Sequence, residues 1–190
     1  MRYGTIPQGL KERLAVLLGV VPYPMLDVLV APLQARSLIA AARAGVFDSL
    51  AREPGTSAAL ASRLGLDEGC LELVLRLVQS MGYLTTRGPQ WRLSALGRRH
   101  FGPEAPRDFS AFAAFGALQW EWIGRLDEIL RTGRGIDIHR ALKGREWDLY
   151  QRAMAEGARD FADFVAASVR LPANPRLCLD GAGSHGLDRK

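Results

Sequence analysis

Cysteine is scarce in this 190-residue chain. Cys70 and Cys178 stand far apart, so no disulfide framework is expected. Histidine is nearly as scarce: His100, His139 and His185 are scattered, which excludes a zinc-like spacing. Lysine occurs only as Lys11, Lys143 and Lys190, so almost all the positive charge behind the formal net charge of +5 is arginine. These arginines are spread along the chain rather than clustered, and no nucleic-acid partner is expected. Long apolar runs are also missing. None reaches the ~18 residues of a membrane span. The nearest, Leu14 to Leu33, carries Pro22, Pro24, Asp27 and Pro32. No clear small-residue cleavage site follows the basic N-terminus. The expectation is a cytoplasmic protein with no membrane association. No nucleophile–base arrangement and no carboxylate pair of defined spacing is present, so no catalytic residue is assigned.

What is present is apolar periodicity. Hydrophobic residues make up 48% of the chain, ample for one core and short for two complete ones. Pro32 can open a helix whose small apolar face is Leu33, Ser37, Ala40, Ala41 and Ala44, with Gly45 placed to end it and Val46–Phe47 in the turn. Thr56 or Ser57 can cap a second helix with Leu60, Ala61 and Leu64 inward and Gly65 closing it. Asp67 can cap a third, where Leu71, Val74, Leu75, Val78 and Met81 fall at helical spacing. Residues 83–86 and 91–93 flank Arg87-Gly88-Pro89-Gln90 and predict a β-hairpin, after which Ser94 can cap a short helix. Three helices followed by a hairpin is the order of a winged helix.

Gly102 to Pro106 has the composition of a linker. A long helix is expected over 107–131, striped by Phe112, Phe115, Trp122, Leu126 and Ile129. After a break at Gly133–Gly135, a second is expected over 145–170, striped by Trp147, Tyr150, Met154, Phe161 and Val165. Pro172 and Pro175 end it. Residues 176–180 form a short apolar stretch that reads as a strand entering the loop Gly181-Ala182-Gly183-Ser184-His185-Gly186, which fits G-x-G-x-x-G. Glycines there let the backbone approach a ligand, and Asp180 can orient the loop through its N–H groups.

The run LCLDGAGSHG, Leu177 to Gly186, resembles motif I of the S-adenosylmethionine (SAM)-dependent methyltransferases. Ala182 and Ser184 stand where that family often has glycine; Gly183 and Gly186 match. Upstream, AARAGVFDSL (41–50), the stretch 56–84, WRLSALGRRHF (91–101) and WDLYQRAMAEGARDF (147–161) resemble the small-molecule O-methyltransferases of class I. The resemblance implies a mainly α fold: a winged-helix dimerisation domain over 1–105, a helical region over 106–172 contributing to a substrate pocket, and over 173–190 the first strand and motif I of a truncated Rossmann-like SAM domain. It implies SAM contacts from Asp180, Gly181, Gly183, Gly186 and Met154, and a substrate wall from Phe112, Phe115, Gln119 and Trp122. Core packing or dimer contact is the alternative for the helical residues. It implies a homodimer and a small aromatic or polyketide-like hydroxyl substrate.

The acidic residue on a second strand and the downstream histidine base of that family are not in this sequence. The chain is therefore expected to bind SAM weakly or not at all and to be inactive alone. Two other functions compete. One is a non-catalytic dimerisation module. The other is a winged-helix DNA-binding regulator, disfavoured because its recognition helix would carry Asp67, Glu68 and Glu72 against a single Arg76.

Overall fold

The structure is a computed structural model that describes residues 9–169, together with positions 7 and 177. It divides into two units, Met1–Ala35 and Arg36–Lys190. The expected strand at the C-terminal end lies outside the described residues apart from Leu177.

In the first unit, α1 (Leu10–Leu17) has no buried residue. A short helix, α2 (Tyr23–Met25), runs into a π-helical turn over Leu26–Val30 and on into α3 (Ala31–Arg43). The Ala31 N–H donates to the Leu26 carbonyl, five residues back. Pro32 has no N–H to give and its ring crowds the carbonyl four residues earlier, so a widened turn just before it lets the helix continue. Pro24 sits in the first turn, where no N–H is needed. The helix was expected to begin at Pro32, and the prolines were expected to interrupt the apolar run. Instead Tyr23–Arg43 is one 21-residue helix, long and apolar enough by length and composition to cross a membrane. Its last turns have an ordinary use for apolar residues, because Ala41 is buried in the core of the second unit and Leu38 and Ala42 pack against that core.

The second unit is built on a core of Ala41, Val46, Phe47, Leu50, Leu60, Leu71, Leu75, Val78, Leu84, Trp91, Leu93 and Phe101. Gly45, at φ +75°, turns the chain from α3 into α4 (Val46–Arg52). Val46 and Phe47 thus open a helix rather than lie in a turn, and both are buried. The next caps form as the sequence predicts. Thr56 accepts the Ala59 N–H at the start of α5 (Ser57–Leu64), and Asp67 accepts the Cys70 N–H at 2.8 Å at the start of α6 (Glu68–Ser80). Leu71, Leu75 and Val78 of α6 face inward, with Val74 packed beside them. Each such side chain contributes ~1.5–3 kcal/mol by leaving water.

Strands β1 (Leu84–Arg87) and β2 (Gln90–Leu93) pair antiparallel with Leu84 opposite Leu93. The two-residue loop is Gly88-Pro89, with Gly88 at φ +58°. Gly55 adds a bridge to Trp91, giving the hairpin a third short edge. Ser94 caps α7 (Ala95–His100) by accepting the Gly97 N–H at 2.9 Å. Phe101 then stacks on Phe47 with ring centroids 4.0 Å apart.

The expected helix over 107–131 is two helices. α8 (Ser110–Ile123) stops at Gly124, and α9 (Leu126–Thr132) starts anew. The break takes Leu126 off the common stripe, and it is exposed. Gly133, at φ +65°, ends α9. A short helix not anticipated from the sequence, α10 (Ile138–Ala141), is capped by Asp137. α11 (Arg145–Ser168) matches its expected span closely. Its stripe does not stay buried to the end: Phe161 and Val165 are exposed.

Candidate functional site

α8 and α11 pack along one another and hold the second apolar cluster of the chain. Phe115, Leu142 and Ala153 are buried at its centre, and Leu118, Trp122, Ile138, Trp147, Tyr150 and Met154 pack around them. The rings meet at favourable angles. Phe115 stands edge-on to Trp122 at 5.6 Å and tilted to Tyr150 at 5.5 Å. Trp147 lies 5.4 Å from Tyr150. Such pairs add ~0.5–1.5 kcal/mol each beyond the area they bury. His139, carried by α10, stands edge-on to Trp147 and Tyr150, and its Nε2 shares a 3.1 Å hydrogen bond with the Tyr150 hydroxyl.

The start of α8 has no side-chain cap of its own at Phe109. Glu156 of α11 supplies one. Its carboxylate accepts the backbone N–H of Ala111 at 3.1 Å and that of Phe112 at 2.7 Å. Burial pushes the Glu156 carboxyl above its ordinary value, against the lowering effect of the two amide donors. Nearby, Asp108 accepts from both the backbone N–H and the hydroxyl of Ser110. A second polar knot lies at the hairpin. Glu72 accepts from the Ser57 hydroxyl and from Trp91 Nε1, and pairs with Arg76 at 2.7 Å. The Ser57 hydrogen bond is the main reason its carboxyl is held below the ordinary value.

The residues singled out in the sequence fall in four places. Phe115, Trp122 and Met154 come together in the α8–α11 cluster. Phe112 stands apart, partly exposed, edge-on to Phe109 and facing Gly157. Gln119 is half-buried on α8. Asp180, Gly181, Gly183 and Gly186 lie outside the described residues. Of the SAM contacts that the resemblance implies, Met154 is the one that falls among the described residues. A thioether can pack against a cofactor but cannot hold its ribose or carboxylate, so the described residues by themselves do not make a cofactor site. Sequence reasoning missed Glu156, Tyr150 as a hydrogen-bonding group, and His139. A stripe of apolar residues says nothing of a carboxylate two positions past Met154, and nothing local links His139 to Tyr150. Gln151 was missed too; its Oε1 is buried without a partner among the described residues.

With this geometry in view, residues 27–102 match the O-methyltransferase dimerisation domain family. No curated protein sequence matches the chain. Among solved structures, an O-methyltransferase family protein from Burkholderia thailandensis is 26% identical, with 70% of this chain covering 41% of that one at a TM-score of 0.59. The mitomycin 7-O-methyltransferase MmcR is also 26% identical, with coverage of 85% and 50% and a TM-score of 0.64. Human N-acetylserotonin methyltransferase, solved with SAM, shares the fold at 20% identity, with coverage of 90% and 51% and a TM-score of 0.64. The chain spans about half the length of the solved structures it matches.

Proposed function

We propose that this chain, whose residues 27–102 match the O-methyltransferase dimerisation domain, supplies the dimer contacts and part of the substrate pocket of a SAM-dependent O-methyltransferase. The helices and hairpin up to about residue 105 form a winged-helix dimerisation domain. Residues 106–172 form the helical wall of the pocket, and residues 173–190, with Asp180, Gly181, Gly183 and Gly186, begin the SAM-binding domain. The protein acts in the cytoplasm as a homodimer.

The substrate is a small aromatic or polyketide-like molecule with a free hydroxyl. The observation that carries this reading is the aromatic cluster on α8 and α11, immediately downstream of a matched dimerisation domain. The half-buried Trp122 offers ring surface to a flat substrate with the buried Phe115 packed behind it as the inner layer of the wall, with Phe112 and Gln119 at the margin and Met154 towards the cofactor. Bound SAM supplies the methyl group. What these helices add is positioning, because a hydroxyl held in line with a methyl donor has much of its activation entropy removed in advance. The buried Glu156 cap fixes the two helices against each other and so keeps that wall rigid.

The test is a chimaera joining this chain to the remaining half of a related O-methyltransferase. It is offered isotopically labelled SAM and a panel of phenols and polyketide-like alcohols. Label should pass to at least one hydroxyl compound, and Phe115→Ala or Met154→Ala should lower that transfer. A folded, dimeric chimaera that binds SAM and methylates nothing would favour the non-catalytic dimerisation module instead.

A further inference from the structure

Away from the aromatic cluster, α4, β2, α7 and the segment after α7 line a cleft of about 500 Å³. That lies within the size range of small-molecule sites. Part of its lining is apolar: Leu50 and Ala51 from α4, Leu93 from β2, and Phe101 with Pro103 after α7. The same cleft is lined by three arginines, Arg52, Arg92 and Arg98, against a single acidic residue, Glu104.

The arginines are not consumed by the fold. Among the described residues none of the three is in an ion pair. Arg98 donates one N–H to the Leu93 carbonyl at 2.8 Å, which pins the group beside the cleft and leaves its other donors to be satisfied. Arg92 donates from Nη2 to Gln90 Oε1 at 3.2 Å, while its Nε is buried and has no partner among the described residues. A guanidinium fork is the group best shaped to take a carboxylate or phosphate with two parallel hydrogen bonds.

We propose that this cleft binds a small organic anion, a carboxylate or phosphate monoester on an aromatic or aliphatic body. The anionic head accepts from Arg92 and Arg98, with Arg52 adding charge, and the body lies against Leu50, Leu93 and Phe101. The site uses none of the residues assigned to methyl transfer and stands whether or not that function holds.

The 190-residue chain, isotopically labelled, is titrated with phenyl phosphate, benzoate, inorganic phosphate and phenol while its backbone amides are followed by NMR. Phenyl phosphate or benzoate should shift the amides of Ala51, Leu93 and Ala105 and saturate with a Kd below about 1 mM. Inorganic phosphate and phenol, each lacking half of the recognised chemistry, should bind on the order of tenfold more weakly. Arg92→Gln should weaken binding on the order of tenfold. Arg98→Gln, a change at an exposed residue outside the hairpin, should do likewise and keeps the test decisive if the first variant folds poorly. Arg87→Gln, on β1 outside the cleft, should leave binding unchanged. No saturation by either organic anion at ~10 mM, or affinity retained in both cleft variants, would overturn the proposal. Equal affinity for inorganic and phenyl phosphate would overturn the assignment of an organic ligand.

Discussion

Glu156 Oε2 accepts the backbone N–H of Phe112 at 2.7 Å, so a carboxylate in the middle of α11 caps the beginning of α8. The first N–H groups of a helix have no partner within it, and α8 has no capping side chain at Phe109. A long-range cap therefore does two things at once. It satisfies α8, and it fixes the relative position of the two helices whose rings form the cluster around Phe115.

Removing that carboxylate should be expensive. Glu156→Ala leaves two backbone donors of α8 without an acceptor, and a cost of about 1–3 kcal/mol is expected. Denaturant unfolding followed by tryptophan fluorescence checks it, since Trp122 and Trp147 report on the neighbouring cluster. An unchanged midpoint would mean that the cap carries no stability.

The two polar knots should respond to pH with opposite sign. The Glu156 carboxyl is raised by burial, so the folded state binds its proton more readily than the unfolded chain does. Its contribution is complete below the ordinary glutamate value and is lost as the pH rises through the raised one. The Glu72 carboxyl is lowered, chiefly by the Ser57 hydroxyl. Its contribution is present above the ordinary value and is lost as the pH falls through the lowered one. Melting curves between pH ~3 and ~7 should therefore separate two variants. Glu72→Gln should remove part of the loss on the acid side, and Glu156→Gln part of the loss towards neutrality. Profiles parallel to the parent's in both variants would defeat this assignment.

These signs could not have been read from the sequence, and the reason is distance along the chain. Thr56, Asp67 and Ser94 act on amides three residues away, and each was legible as a cap. The hairpin was legible because Gly88-Pro89 is a turn signal between two apolar stretches. Glu156 and Ala111 are 45 residues apart and no local pattern joins them. Periodicity also failed where it was asked what covers a face. Phe161 and Val165 keep the helical spacing of Tyr150 and Met154 but are exposed. The break at Gly124 and the π turn before Pro32 are local adjustments that an apolar stripe passes over. Within the candidate site, Phe115, Trp122 and Met154 were legible together, whereas their link to His139 through Tyr150 was not.

Gly97 should tolerate no side chain. A Cβ built there would lie 2.1 Å from the Tyr83 carbonyl oxygen, a backbone atom that cannot rotate away. Gly97→Ala must push α7 off the hairpin, and a loss of about 1–3 kcal/mol is expected despite alanine's better helix propensity. Thermal unfolding measures it. Stability equal to the parent's would mean that α7 moves freely against the hairpin.

Self-association should run through the N-terminal helices. Val28, Leu29 and Leu33 are exposed, as are Leu14, Leu17 and Leu18 on the preceding segment. Large apolar residues exposed in that number on neighbouring segments are uncommon on a monomer and mark a place where another surface is buried. Leu29 and Leu33 fall inside the residues matched to the dimerisation family, which favours a second copy as the occupant. A twofold interface uses the same patch on both subunits, so one substitution is introduced twice per dimer. Leu29→Asp would then place two unpaired carboxylates in an apolar contact, at a cost of several kcal/mol. The parent chain should be dimeric by light scattering at micromolar concentration, and Leu29→Asp should shift it to monomer with its circular dichroism unchanged, because the residue is 56% exposed in the single chain. A monomeric parent would count against the interface altogether. A parent and variant that are equally dimeric would place the contact on a different face.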